Sequence, residues 1–229
     1  MSDSLSNLRI ILLVSLLALV GFLTLAFLRS GLSSVDYSAN SWATNIQNGS
    51  FTAVAVAISI VFDTTIVLVF SLTAALLLFY RNLRKQSLLL LVAMGGEALF
   101  LSISKMLIYS PRPTNELIVE TGYSFPSGHV TGGLVFFGLL TYFGWQICNS
   151  SERKTGLILL CLTITSIISF DRIYLNVHWF SDILGGYLLG MFWLTFSIIV
   201  FKYWESSKNQ TLIFLGESPK HRIQKTDKP

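Results

Sequence analysis

The sequence is poor in charge. Only 12% of its 229 residues are Asp, Glu, Lys or Arg, whereas 52% are hydrophobic. Because soluble domains carry roughly a quarter of charged residues, this composition excludes an ordinary soluble fold and indicates a membrane protein with several spans. The chain also lacks internal repeats of the solenoid type, and its length predicts a single domain.

Cysteine is scarce as well. Cys148 and Cys161 both lie in apolar stretches and form neither a CxxC motif nor a metal-ligand pattern. We interpret them as packing residues.

Six apolar runs are long enough to cross a hydrocarbon layer of about 30 Å at 1.5 Å per residue. An all-α fold of six transmembrane helices over residues 1–204 is therefore predicted, followed by a loosely ordered polar tail over residues 205–229. A cleaved signal peptide is the alternative for the first run, which is long for that purpose. The segment 30–52 is predicted to be a loop with a short surface helix near Trp42. The runs cover residues 10–28, 53–80, 87–109, 130–147, 156–175 and 179–201.

The basic residues outside the motifs described below predict the orientation. In a six-span arrangement nearly all of them fall on one side, and only Arg29 falls on the other, where we interpret it as an interfacial charge. The basic side is expected to be cytoplasmic, with both termini inside a cell membrane. The cytoplasmic set comprises Arg9, Arg81, Arg84, Lys85, Arg153, Lys154 and the six basic residues from Lys202 onward.

Three short stretches carry ionisable groups in or beside this apolar sequence. They are Lys105 to Pro113 with the pattern K-x6-R-P, Pro126-Ser127-Gly128-His129, and Arg172 to Asp182 with the pattern R-x5-H-x3-D. The predicted topology places all three at the outer ends of spans three to six. Because charges within a membrane are costly, such a cluster is a candidate functional site, and three cations require an anion.

The second stretch lies where a loop becomes a helix. Ser127 is a candidate N-cap, and Gly128 would let the backbone approach a ligand closely. The first N–H groups of a helix have no intrahelical partner, and they bind phosphate well. The pattern alone also fits an ordinary helix start.

The third stretch places His178 and Asp182 at i, i+4, on one face of a helix. A carboxylate there can fix the tautomer of the imidazole and leave its other nitrogen nucleophilic. Lys105, Arg112 and Arg172 can neutralise a phosphoryl group. A zinc site built from the two histidines and the aspartate is an alternative, but three adjacent cations would repel a metal, so neither metal nor cofactor is expected.

The three motifs, in this order and with these spacings, resemble the type 2 phosphatidic acid phosphatase (PAP2) superfamily. The resemblance implies that His178 attacks phosphorus and that His129 protonates the leaving oxygen. It also implies that Asp182 holds His178, and that Lys105, Arg112, Ser127, Gly128 and Arg172 bind the phosphate. One position departs from the family, since Asp171 stands where Ser is usual. We expect Asp171 to point away from the phosphate and to pair with Arg172 or with another span.

The resemblance also implies a lipid phosphate as substrate, with the membrane lipids as surroundings and no nucleic acid partner. Undecaprenyl-type diphosphate is the first choice, ahead of phosphatidylglycerophosphate and phosphatidic acid. A phosphotransferase that passes the phosphoryl group to a lipid or sugar hydroxyl is the alternative. A non-catalytic transporter or scaffold is less favoured because His129, His178 and Asp182 are all present.

Two further acidic residues lie within predicted spans. Asp63 is expected to be hydrated near the headgroups, with pairing to a cation or a place in a polar cleft as the alternative. Glu97 is expected to pair with an Arg or Lys inside the bundle, and a role as catalytic acid is less favoured because the histidines can fill it.

Overall fold

The fold, taken from a computed structural model, is described for residues 2–214, with side chains for residues 8–207. It consists of helices, as predicted. Eight α-helices follow one another: α1 (Ser2–Leu28), α2 (Ser33–Ile46), α3 (Gly49–Val61), α4 (Thr64–Tyr80), α5 (Arg84–Ile108), α6 (Gly128–Ile147), α7 (Ser151–Tyr174) and α8 (Phe180–Phe214). A 3₁₀ turn, Arg29–Leu32, joins α1 to α2.

By length and apolar composition, five helical segments of the described chain can cross a membrane, and the number is six if the bent pair α3 and α4 counts as one span. This agrees with the predicted six-helix membrane fold. The last helix, α8, continues to Phe214, past the predicted domain boundary at residue 204. The rest of the predicted tail, residues 215–229, lies outside the described residues.

The second span is broken, whereas the sequence predicts one continuous helix over residues 53–80. The axes of α3 and α4 meet at 46°. Asp63 causes a new start, because its side chain accepts a hydrogen bond from the Thr65 N–H at 2.8 Å and caps α4. The charge is thus used to cap a helix inside the span.

The predicted loop 30–52 is largely helical, since α2 alone covers fourteen of its residues. Asp36 anchors this helix, because its carboxylate accepts hydrogen bonds from the backbone N–H and the hydroxyl of Ser181, both at 2.8 Å. At the other end of α2, the Gln47 amide donates to the Tyr174 carbonyl at 2.8 Å. The segment therefore lies against the start of α8 and the end of α7 as a fixed outer layer.

The bundle is built around α6 and α8, which pack against each other along their lengths, while α1 packs along the other side of α8. The central core combines residues of α5, α6 and α8, including Leu90, Leu139 and Trp193. Close contact between α5 and α8 depends on one glycine of the pair Gly95-Gly96. A Cβ atom on Gly96 would lie 2.2 Å from Cζ2 of Trp193, whereas one on Gly95 would meet no atom within 4 Å.

Two basic turns, one around Arg84 between α4 and α5 and one around Arg153 at the start of α7, lie at the end of the bundle opposite the three motifs. Lys85, at the start of α5, pairs with Glu205 near the end of α8. Lys202 lies over the ring of Tyr142 at 5.9 Å, which brings the end of α6 to the same place. The ends of α5 to α8 that carry the motifs lie at the other end of the bundle.

The two adjacent glycines give a matched test of this packing. Gly96→Ala should destabilise the protein by about 1–3 kcal/mol, because the Trp193 ring is rigid and its N–H is held by the Ala93 carbonyl at 2.7 Å. Gly95→Ala should be neutral or slightly stabilising, since Gly is a poor helix former. Thermal unfolding of both variants in detergent is the measurement. Equal melting temperatures would contradict the packing described.

Candidate anion-binding site

The three motifs meet at one end of the bundle. Lys105 lies in the last turn of α5, and Arg112 lies in the loop that follows. His129 lies in the first turn of α6. Arg172 is in the last turn of α7, and His178 precedes α8. The described residues thus bring together what the topology predicted from sequence.

His178 and Asp182 form the predicted pair. Nδ1 of His178 lies 3.2 Å from Oδ2 of Asp182, and the same oxygen accepts the Trp179 N–H at 2.9 Å. Both side chains are buried. Because Asp182 engages Nδ1, the other ring nitrogen, Nε2, is directed toward Arg112, whose Nη1 lies 3.4 Å away. The geometry leaves Nε2 facing the cations.

Arg112 is fixed by backbone carbonyls. Its guanidinium donates to Val177 at 2.7 Å, to Gly122 at 3.1 Å and to Thr121 at 3.2 Å. Burial is the main cause of a lowered pKa for Arg112, and the nearby carboxylate of Glu120 opposes that shift. The carbonyls orient the guanidinium without neutralising its charge, so the charge remains available to an anion.

Arg172 is fully buried beside His129. Its Nη1 lies 3.1 Å from Nε2 of His129, and its Nε and Nη2 both donate to Oδ2 of Asp171. The expected pairing of Asp171 with Arg172 is therefore present. The other oxygen of Asp171, Oδ1, has no hydrogen-bond partner among the described residues.

Glu120, which belongs to none of the three motifs, connects the two arginines. Its Oε1 accepts from Nη1 of Arg172 at 3.0 Å, and its Oε2 lies 3.8 Å from Nη2 of Arg112. A continuous set of contacts therefore runs from His178 through Arg112, Glu120 and Arg172 to His129. In the sequence, the only indication of this role is that Glu120 is an acidic residue in the loop between two cationic motifs.

The remaining predicted residues complete the pocket. Lys105 donates to the Tyr123 carbonyl. Ser127 occupies the N-cap position of α6 as predicted, but its hydroxyl does not cap the helix. That hydroxyl is fully buried and has no partner within the described chain. The Ser127 N–H instead donates to the Asp182 carbonyl at 3.0 Å and ties α6 to α8.

Gly128 serves packing between helices. A Cβ atom there would lie 3.0 Å from Cδ2 of Leu101 and 3.5 Å from Oγ1 of Thr64. Gly128 therefore lets the start of α6 approach α5 and α4, a reason different from the ligand contact predicted from sequence.

The expectation for Glu97 is wrong. Among the described side chains no Arg or Lys pairs with it, and its Oε1 has no hydrogen-bond partner. Glu97 is buried on α5 and faces Gly132 of α6. A Cβ atom added to Gly132 would lie 3.7 Å from each carboxylate oxygen of Glu97. The described residues also contain no group of three or more His, Cys, Asp or Glu side chains placed to hold a metal ion.

The environment of His178 favours the neutral ring. Burial is the main cause that lowers its pKa well below the usual value, and the positive charges of Arg112, Lys105 and Arg172 add to the effect. A neutral imidazole with Nδ1 held by a carboxylate can act as a nucleophile or a base through Nε2.

Titration of His178 tests this environment directly. Because its pKa is lowered, the ring should stay unprotonated as the pH falls through about 6.5, where an ordinary histidine gains a proton. Arg112→Gln removes one of the charges that lower the pKa, so protonation should move to higher pH. Histidine ¹⁵N NMR is practical because the sequence contains only three histidines. His178→Ala assigns the signal, and Arg153→Gln, a charge change in the distant turn, is the control. A normal midpoint in the wild-type protein would contradict the geometry.

Comparison with known proteins assigns a family to this arrangement. The sequence profile of the PAP2 superfamily matches residues 86–206, more than half of the chain. Phosphatidylglycerophosphatase B of Bacillus subtilis is 31% identical over 115 residues, which cover 49% of this chain and 56% of that protein. Undecaprenyl-diphosphatase of Sulfolobus acidocaldarius is 31% identical over 132 residues, 53% of this chain and 58% of that protein. The alignments thus span less than two thirds of either relative.

Solved structures share the fold over a larger part of the chain. The transmembrane PAP2-type phosphatidylglycerolphosphate phosphatase from Bacillus subtilis superposes with a TM-score of 0.75 at 23% identity, over 84% of this chain and 96% of that one. LpxE from Aquifex aeolicus superposes with a TM-score of 0.57 at 19% identity, over 72% of this chain and 94% of that one. At these identities the likeness concerns the fold.

Proposed function

The chain belongs to the PAP2 superfamily, and from this premise we propose that it is a membrane phosphatase that hydrolyses a lipid phosphate through a phosphohistidine on His178. One observation carries the proposal. The two histidines lie at opposite ends of one contact series whose inner members, Arg112 and Arg172, are cations already bridged by a carboxylate. These donors can bind several anionic oxygens at once. A tetrahedral phosphoryl group offers three such oxygens, whereas a carboxylate offers two.

In the first step Nε2 of His178 attacks phosphorus. The P–N bond forms as the bond from phosphorus to the lipid oxygen breaks, and His129 gives that oxygen its proton. Arg112, Arg172, Lys105 and the free N–H groups at the start of α6 stabilise the charge on the phosphoryl oxygens. A guanidinium only donates, so Nε2 of His129 accepts in its present contact with Arg172. The incoming phosphate must therefore replace His129 as the acceptor for Arg172, because Nε2 of His129 has to carry a proton before His129 can act as an acid.

In the second step His129, now without its proton, removes a proton from water. The water oxygen bonds to phosphorus, the P–N bond breaks, and inorganic phosphate leaves with His178 restored to its neutral form. Asp182 stabilises the positive charge on the His178 ring while the phosphohistidine exists. The cations of the pocket supply the electrostatic stabilisation that a Mg²⁺ ion provides in many phosphoryl-transfer enzymes.

Phosphate release from a panel of lipid phosphates in detergent tests the proposal. The wild-type protein should release inorganic phosphate without an added acceptor and in the presence of EDTA. His178→Ala should lose activity by several orders of magnitude because the covalent path is removed. Arg112→Gln, which removes a single fixed donor, should lose on the order of 10²–10³ in rate.

Three outcomes would contradict the proposal in different ways. Activity that survives His178→Ala would exclude the phosphohistidine. Activity that disappears with EDTA would exclude a metal-independent mechanism. Labelling that requires an added lipid or sugar hydroxyl would identify a phosphotransferase.

The surface beside the pocket supports a lipid as the substrate. A groove of about 600 Å³ lies between α3 and α7 and ends at Asp171, next to Arg172. Apolar side chains such as Val54, Ile58 and Leu162 line most of it. Along α7 the groove runs from Leu159 to Asp171, about 18 Å at the helical rise of 1.5 Å per residue. We assign this groove to the hydrocarbon chain of the substrate, whose phosphate would then lie at the headgroup end.

Filling the groove should weaken binding of long chains only. Ser166 lines the groove and is exposed, so Ser166→Trp adds bulk there without disturbing the core. KM for a long-chain lipid phosphate should rise by about tenfold, equivalent to losing about two buried CH₂ groups. KM for a soluble short-chain phosphate should not change. Leu160→Trp, on an exposed part of α7 outside the groove, is the matched control. Equal effects of the two tryptophans would refute the assignment.

The orientation in the membrane is part of the same proposal. We place the basic turns and both termini in the cytoplasm and the anion pocket at the outer face of a cell membrane, because basic residues near span ends favour the cytoplasmic side. Single cysteines at Arg84 and Asn115 give the test: an impermeant reagent applied to cells should label only the second position. The reverse labelling would invert this orientation.

A further inference from the structure

Asp182 has one oxygen that its hydrogen bonds do not use. Oδ2 serves both His178 and the Trp179 N–H. Oδ1 has no hydrogen-bond partner among the described residues, although the side chain is completely buried. A carboxylate in this position must be ionised to hold the imidazole and to stabilise its positive form. Removing it from water opposes ionisation unless a positive charge lies nearby.

Arg29 supplies such a charge. Its Nη2 lies 3.7 Å from Oδ1 of Asp182, and only 19% of its side chain is exposed. From sequence alone, Arg29 is expected to be an interfacial residue, because it is the one basic residue on the predicted outer side that lies outside the motifs. The structure corrects that interpretation, since the side chain turns inward from the end of α1.

The guanidinium of Arg29 is held in place by an aromatic ring. It lies 4.9 Å from the centroid of the Phe125 ring, within the range of a cation–π interaction. Phe125 in turn stacks on Phe22 of α1 at 5.7 Å and immediately precedes the Pro126–His129 motif. The position of Arg29 is therefore coupled to the segment that begins α6.

Other charges act on Asp182 from neighbouring elements. Lys105 of α5 attracts it, whereas Asp36 of α2 repels it. Lys105 also faces the pocket and would be engaged by a bound phosphoryl group. Arg29 is the basic residue that approaches Oδ1 within ion-pair distance in the described structure.

We propose that Arg29 is a positioning residue that keeps Asp182 ionised and so directs Nε2 of His178 toward the phosphorus atom. The inference rests on the proposed function of the same site. Because Arg29 would act through Asp182, its removal should affect the chemical step and leave binding of the phosphate intact.

A double-mutant cycle tests the coupling. Arg29→Gln should lower kcat by about tenfold with little change in KM, and Arg29→Lys, which keeps the charge, should recover most of the loss. In an Asp182→Asn background, Arg29→Gln should have no further effect, because the carboxylate that it stabilises is gone. Arg9→Gln, at the other end of α1, is the control and should behave as wild type.

The ¹⁵N shifts of His178 provide a readout that does not require turnover. Arg29→Gln should change the tautomer ratio of His178 in the wild-type background and leave it unchanged in Asp182→Asn. An equal loss of kcat in both backgrounds, or a loss that Lys does not recover, would reduce Arg29 to a structural anchor of α1. An unchanged kcat in Arg29→Gln would remove the role altogether.

Two measurements separate the role of Arg29 from the proposed function. If the wild-type protein releases phosphate and His178→Ala does not, the function stands whatever Arg29 does. If the wild-type protein releases no phosphate from any lipid, the function fails, whereas the tautomer measurement still decides the contact between Arg29 and Asp182.

Discussion

The cations of the site lie at or just beyond the ends of apolar helices with little exposure to solvent, and the structure depends on how those charges are held. Arg112 donates to three backbone carbonyls, Lys105 donates to one, and Arg172 is held by Asp171. The loop from residue 109 to 127 has no regular helix or strand, and its carbonyls at Thr121, Gly122 and Tyr123 accept hydrogen bonds from Arg112 and Lys105. Holding these charges also requires the ends of α5, α6, α7 and α8 to lie at the same level along the bundle axis, since each helix contributes one residue to the site.

Much of this arrangement was predictable from sequence. Long apolar runs determine helices because backbone groups in lipid must be satisfied within the segment. Helix order then places Lys105, His129 and Arg172 at one end without knowledge of their contacts. The i, i+4 spacing of His178 and Asp182 predicts their contact from helical geometry alone.

Other features could not be predicted because they depend on packing between distant segments. The break at Asp63 follows from a local cap within an apolar run, and average hydropathy does not detect such a cap. Helix α2 is held by Ser181 and Tyr174, which lie more than a hundred residues away. Arg29 was misinterpreted for the same reason, because charge counting assigns a side of the membrane but no direction to a side chain.

Glu120 gives the resting pocket an internal counter-ion. If the site binds a phosphoryl group as proposed, that group must displace the carboxylate from Arg172, and the carboxylate can return when the product leaves. Binding is therefore an exchange of one anion for another, and its net free energy is smaller than three uncompensated cations would provide. Under the proposed function, a site built in this way would release inorganic phosphate more readily than one without a counter-ion.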